Sequence, residues 1–319
     1  MLFEASNCLA LSDLTTQIGE SEAKLICDNS KLIRAIAPVS QSGSGVLSFS
    51  NFTLTRTLEK FDIIEGAILI VKASKESQIG LQSYKNMPYS VVEVENPRRY
   101  FFQAVHALFG DLERSRKGIH KFSVVASDAK LGDDVFIGPF VSVDAGCEIR
   151  DKVALHHGVL VTNRSVIGEN TIIRANSVVG VPGQAIERDH KDQQIVMPHL
   201  GRAVLGRNII VGANSVLVTG SLEDTEVGDG VMIGNQVNIG HNCKIGEHCF
   251  IAPQVVIAGS VNMGRRCWVA PGARVLNKLS IGDNVMIGLG AIVTKSIKEG
   301  TYVFGNPAVP LRKINRYNK

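Results

Sequence analysis

Residues 227–293 read VGDGVM IGNQVN IGHNCK IGEHCF IAPQVV IAGSVN MGRRCW VAPGAR VLNKLS IGDNVM IGLGAI V, and every block opens on an aliphatic residue or Met. The same beat of six falls at Leu131, Ile137, Val143, Ile149, Leu155, Val161, Ile167, Ile173 and Val179, then at Leu205, Val211 and Leu217. A second lane, four residues after each beat, holds small or β-branched side chains such as Val135, Val141, Cys147, Ser165, Thr171, Val237, Cys243 and Val255. A helix repeats every ~3.6 residues and an ordinary strand every second residue, so neither gives this pattern. A parallel β-helix does, because each hexad forms one flat side and its two inward positions stack on the coil below. Three such sides make a coil of about 18 residues. The 24 beats predict eight coils, a prism about 38 Å long at the strand spacing. Glycines at the second hexad position (Gly132, Gly138, Gly168, Gly212, Gly228, Gly234, Gly246, Gly282) are expected to turn the corners with positive φ.

The chain has 319 residues, enough for a large core and more than one domain. No apolar run at the start reaches the length of a signal peptide or membrane span, so a cytoplasmic protein is expected. A formal net charge of +4 is mild and no dense Lys/Arg block is present, which argues against a nucleic-acid partner. Of six cysteines (Cys8, Cys27, Cys147, Cys243, Cys249, Cys267), the last four fall in the small inward lane, where free Cys acts as a compact apolar filler. No C-x-x-C spacing occurs, so neither zinc nor redox chemistry is indicated.

Residues 1–112 lack the hexad and read as a small α/β domain. Leu9–Ile18 has helical spacing, and strand-like runs follow at Val46–Phe49, Ala67–Val71 and Ser90–Val94. Pro97 then opens a helix expected to bury Phe101, Phe102, Val105, Leu108 and Phe109. After a charged linker, Asp111–Gly118, the β-helix occupies residues 113–304. It is broken by an insertion at 180–204 that carries no hexad and is long enough to serve a site or a partner. Residues 305–319 read as a C-terminal cap, whose Pro307 and Pro310 stop strand addition at an open edge.

Of eight histidines, only His241 stands at the third position of a hexad inside the long uninterrupted run. That position points outward. Imidazole suits a general base for an amine or hydroxyl nucleophile, and a surface or interface histidine is the competing reading. One coil later stands Gly259, whose missing side chain leaves a backbone N–H uncovered, as an oxyanion donor requires; a plain corner glycine is the alternative. One coil further stands Asn277. His241, Gly259 and Asn277 form an outward column suited to a substrate groove. His156 and His157 are adjacent and several coils away, so at most one points outward.

The hexad repeat resembles the left-handed β-helix acyltransferase superfamily, typically trimers with active sites between subunits. Ala37-Pro38-Val39, Gly45-Val46-Leu47-Ser48-Phe49, Val92-Glu93-Val94-Glu95-Asn96-Pro97, Gly118-Ile119-His120, Pro198-His199-Leu200-Gly201-Arg202 and Asn235-Gln236-Val237-Asn238-Ile239-Gly240-His241-Asn242 resemble, in order, the UDP-3-O-(3-hydroxyacyl)glucosamine N-acyltransferases of lipid A biosynthesis. The resemblance implies a uridine-binding N-terminal domain, a catalytic base at His241 and an oxyanion donor at Gly259. It also implies substrate contacts at Phe49, Asn51, Asn235, Asn242 and Asn277. A homotrimer with no permanently bound cofactor or metal is expected, taking acyl groups from acyl-acyl carrier protein. Some features depart from that family. Ser50-Asn51-Phe52-Thr53-Leu54 lacks the Pro and Tyr of the uracil-binding stretch, and Asn277-Lys278 replaces a second histidine. The Gly305–Ala308 ending is similar to acetyltransferases that use coenzyme A, which leaves an acyl-coenzyme A donor open, with a deoxyamino sugar as acceptor. A β-helix that only scaffolds is the reading from another class.

Overall fold

The computed structural model describes residues 3–19, 24–26, 31–74, 87–110, 113, 116–306 and 309–310. Cys27, most of the linker's first half and the end of the C-terminal cap lie outside the described residues. The chain divides into two compact units, Met1–Leu112 and Glu113–Lys319.

In the first unit, strands β1 (Phe3–Ala10), β2 (Lys24–Ile26), β3 (Leu32–Ile36), β4 (Val46–Phe49), β5 (Ile68–Lys72) and β6 (Ser90–Val94) form one sheet in the order β1-β3-β4-β5-β6-β2. The inner pairs β3–β4, β4–β5 and β5–β6 are parallel, and the edge pairs are antiparallel. Over residues 68–71, β5 is a continuous buried apolar run rather than an alternating one, as a parallel strand covered on two sides requires; β6 is buried throughout but includes Ser90 and Glu93. Helices α1 (Leu11–Ile18), α2 (Leu54–Lys60) and α3 (Pro97–Phe109) complete the unit. Pro97 sits in the first turn of α3, and the Asn96 side chain accepts a hydrogen bond from Arg99 N–H at 3.0 Å.

The expected face of α3 holds for Leu108, which is buried, and for Phe101 and Phe109, which pack partly buried against the same core, but not for Phe102. Pro97, Tyr100, Ala104 and Leu108 are buried, whereas Phe102 is exposed beneath the Arg98 guanidinium. The Tyr100 phenol, on the buried i, i+4, i+8 row, donates to Thr15 Oγ on α1 at 3.2 Å. Phe102 lies on the far side of that row.

The second unit is a left-handed parallel β-helix. Among the described residues its three faces carry ten, nine and eight parallel strands, with Val309–Pro310 adding an antiparallel edge to the first. Each strand pairs with its counterpart one coil on, as Ile239 with Ile257 and Val275 with Val293. The coil exceeds the eight turns expected. Gly118–Ile119 and Val124–Val125 pair beneath the first counted beat, and Tyr302–Phe304 pairs above the last. Both inward lanes are buried in one continuous core, including Cys147, Cys243, Cys249 and Cys267, all free thiols. Burial pushes the Cys243 thiol up to about 11.

The corners also differ from expectation. Positive φ falls at the fourth hexad position, on Asp134, Phe140, Lys152, Asn170, Asn176, Asn208, Asn214, Asn242, His248 and their equivalents. The second-position glycines do not have it; they stand where the next coil comes too close for a side chain. A Cβ on Gly240 would lie 2.6 Å from Gly259 N, and one on Gly246 2.6 Å from the Gly264 carbonyl carbon. Glycine is required there by close approach, not by dihedral freedom.

Two breaks interrupt the pairing. Across the insertion at 180–204, Val179 pairs with Leu217. Across Gly220–Asp224, Leu217 pairs with Ile239. Both steps are longer than the regular one, so extra chain is extruded at each. The long insertion is a hairpin, Ile186–Arg188 against Gln194–Val196.

Candidate active site

Both breaks come together at the corner that carries His241. The long insertion is clamped at its start, where Thr162 Oγ and Asn163 Nδ2 both donate to the Gly180 carbonyl, at 2.8 and 2.9 Å. Its return is clamped by Arg202, which forks onto Asp224 with Nη2–Oδ2 at 2.8 Å and donates its own N–H to Oδ1 at 2.8 Å. Arg164 Nη2 donates to the Leu200 carbonyl at 2.6 Å. The Arg202 guanidinium holds the Asp224 carboxyl below its usual range.

Between those clamps His199 is carried against His241, with ring centroids 5.6 Å apart and planes at 76°. A Cβ on Gly183 would lie 2.9 Å from His199 Nε2 and 3.4 Å from His241 Cδ2, so the main chain of the insertion fills the angle between the two rings.

The short break acts on the other side of the imidazole. Asn242, in the left-handed conformation at φ 57°, turns its side chain back toward Ser221. Asn242 Oδ1 accepts from Ser221 N–H at 3.2 Å and from Ser221 Oγ at 2.8 Å, while His241 Nδ1 stands 2.8 Å away. A backbone N–H can only donate, so the atom facing it is the amide oxygen. His241 Nδ1 must then carry the proton, which leaves Nε2 bare. That bare nitrogen stands over Gly259: a Cβ there would lie 2.5 Å from Nε2. Among the described residues nothing accepts the Gly259 N–H. The corner therefore pairs an unprotonated imidazole nitrogen with an unused backbone donor. Such a pair can accept a proton on one side and stabilise an oxyanion on the other.

The remaining residues proposed from sequence are dispersed. Asn277, one coil above Gly259, is exposed on the same column. Asn235 lies on a different corner, its Oδ1 taken by Ala213 N–H at 2.8 Å. In the first unit Phe49 is half-buried against Phe101, with centroids 4.8 Å apart, and Asn51 is exposed. Next to it, Phe52 carries the Lys60 ammonium at 4.2 Å and the Arg56 guanidinium at 5.0 Å from its ring centre. His156 is buried and His157 exposed, and burial lowers the His156 pKa. No cluster of three or more His, Cys, Asp or Glu among the described residues could hold a metal ion. No helix among them is long and apolar enough to cross a membrane.

Sequence reasoning gave no role to His199, Ser221 or Asp224. For Ser221 and Asp224 the signal was the ten-residue step from Leu217 to Val227: a hexad run with four extra residues marks a second loop at the same corner as the insertion that carries His199.

Residues 224–259 match the family described as bacterial transferase hexapeptide (six repeats), and residues 278–301 match the hexapeptide repeat of succinyl-transferase. Among solved structures, UDP-N-acetylglucosamine acyltransferase from Campylobacter jejuni superposes with a TM-score of 0.56 at 22% identity, over 63% of this chain and 79% of that one. The Francisella novicida enzyme of the same name gives 0.56 at 25% identity, over 62% and 71%. Among curated relatives, UDP-3-O-acylglucosamine N-acyltransferase of Coxiella burnetii is 29% identical over 79% of this chain and 75% of its own. That of Cupriavidus pinatubonensis is 30% identical over 79% and 74%. The hexad architecture and this similarity over most of the chain together show that the chain belongs to the UDP-3-O-acylglucosamine N-acyltransferase family.

Proposed function

We propose that the chain moves an acyl group from a thioester, 3-hydroxyacyl-acyl carrier protein, to the amine of a UDP-linked glucosamine derivative in lipid A biosynthesis. His241 is the general base. As the amine attacks the thioester carbonyl, Nε2 takes its proton and the C–N bond forms. The C–S bond then breaks, and the proton passes on to the departing thiolate. The Gly259 N–H holds the oxyanion between these events. No covalent enzyme intermediate is required.

The observation that carries this reading is the bare His241 Nε2 against Gly259, whose N–H is unused among the described residues, with Asn242 setting the tautomer. The acceptor follows from the relatives, whose names specify a UDP-acylglucosamine. The first unit, residues 1–112, holds the nucleotide, with Phe49 and Asn51 as contacts, and Asn277 lines the groove beyond Gly259. The enzyme works in the cytoplasm as a homotrimer, which sedimentation of the purified protein tests directly.

The decisive assay supplies UDP-3-O-(3-hydroxyacyl)glucosamine with 3-hydroxyacyl carrier protein, beside acetyl-coenzyme A with a panel of nucleotide amino sugars. Turnover with the first pair is expected, falling about 10³-fold or more in His241→Ala at an unchanged melting temperature. Turnover with coenzyme A alone would replace the donor. Turnover with neither would leave a non-catalytic scaffold.

A further inference from the structure

His199 is buried to all but 7% of its surface, yet its Nε2 has no hydrogen-bond partner. A buried unpaired nitrogen costs free energy in the resting protein, so its retention calls for a physical reason. Nδ1 faces the Met197 carbonyl at 3.3 Å, and a carbonyl only accepts, so Nδ1 carries the proton and Nε2 presents a lone pair. That lone pair lies at the angle filled by Gly183, the same angle that receives the Cδ2 edge of His241.

We propose that His199 is a positioning residue for His241: its buried, unsatisfied Nε2 shares the Gly183 angle with the Cδ2 edge of a ring that becomes cationic when it accepts the substrate's proton. This inference rests on the reading of His241 as the base. In the resting enzyme the lone pair has no partner. When His241 gains a proton, its ring C–H groups become strongly polarised and the lone pair acquires one. The cost is borne before the reaction and the attraction arises during it, which is the condition for differential stabilisation. Among the described residues, the groups placed against the His241 ring include Gly183 and His199 from the insertion, Asn242 from its own coil and Gly259 from the coil above; His199 is the titratable one of these. Glu223, on the short break, and Lys244, three residues after His241, pair with each other at 3.7 Å.

The test compares His199→Phe, which keeps a ring of similar size without nitrogens, with His199→Gln, which keeps an acceptor oxygen. The first readout is the pH at which the His241 Cε1–H resonance titrates in the full-length protein without substrate. It is expected to move down by about one unit in His199→Phe and to return most of the way in His199→Gln. The second readout is kinetic: kcat falls about tenfold in His199→Phe with KM unchanged. An unmoved titration in His199→Phe overturns the proposal and leaves His199 as a packing residue, whatever kcat does. The resonance needs no substrate. A wild-type protein that fails to turn over UDP-glucosamine acceptors would therefore refute the proposed function without deciding this point.

Discussion

Two corners of the same prism differ in what happens to one backbone N–H. At the corner of Ala213, the N–H of the third hexad residue donates to Asn235 Oδ1 from the coil above. Asp133, Arg207 and Arg265 are latched the same way, by Asp151, Asp229 and Asp283, at 2.7 to 3.0 Å. At the corner of Gly259, the residue in the latching position is Asn277, yet the N–H remains without an acceptor among the described residues. Except where proline takes that position, as at Pro139, Pro253 and Pro271, such a corner carries a backbone donor. Closing it with Asp or Asn makes a structural latch, and leaving it open beside an imidazole makes a site.

The largest break in that comparison is Gly259→Ala. A methyl there meets His241 Nε2, so the variant should lose about 10²- to 10³-fold in kcat, read against an unchanged circular dichroism spectrum. Exchanging the support under the ring comes next. Asn242→Leu removes the acceptor that fixes Nδ1–H and should cost about 10²-fold in kcat, whereas Asn242→Asp keeps an oxygen there and should recover most of it; equal losses in both would dismiss the tautomer argument.

A smaller effect is expected where the insertion is anchored. The folded-state pKa of Asp224 is depressed, chiefly by its hydrogen bond from Arg202. Its contribution is therefore present above the ordinary value of 3.8 and disappears as pH falls through the lower folded value. Asp224→Asn should lower stability by about 1 kcal/mol at neutral pH and flatten the acid side of a denaturation series, because the partly exposed pair is screened. The smallest effect belongs to the latched corner. Asn235→Ala should cost about 1 kcal/mol in urea unfolding and leave kcat untouched; a catalytic defect there would erase the distinction between the two corners.

The regular part of the molecule was legible because a β-helix is a one-dimensional object. Each hexad packs on its counterpart one coil away, so the inward lanes print their chemistry at fixed intervals. Val237, Cys243 and Val255 read as core, and they are core. Reading was less complete where close approach replaced periodicity. Gly240 and Gly246 resemble turn glycines in sequence, but the neighbouring coil excludes a Cβ. On α3, Phe102 looked as apolar as Leu108, but Leu108 is buried and Phe102 is exposed.

His241 and Gly259 could be picked out from one sequence because their separation is the coil period itself, so sequence distance translates directly into spatial contact. His199 and Ser221 could not. They reach His241 through two breaks that lengthen the period by different amounts, and a break carries no information about where its chain returns. The sequence alone determined the architecture, the core and the candidate catalytic column, since these follow from a repeated local rule. The tertiary structure alone decided which groups hold the imidazole, because the hydrogen bond to Asn242 and the edge of His199 depend on non-periodic chain closing onto a periodic scaffold.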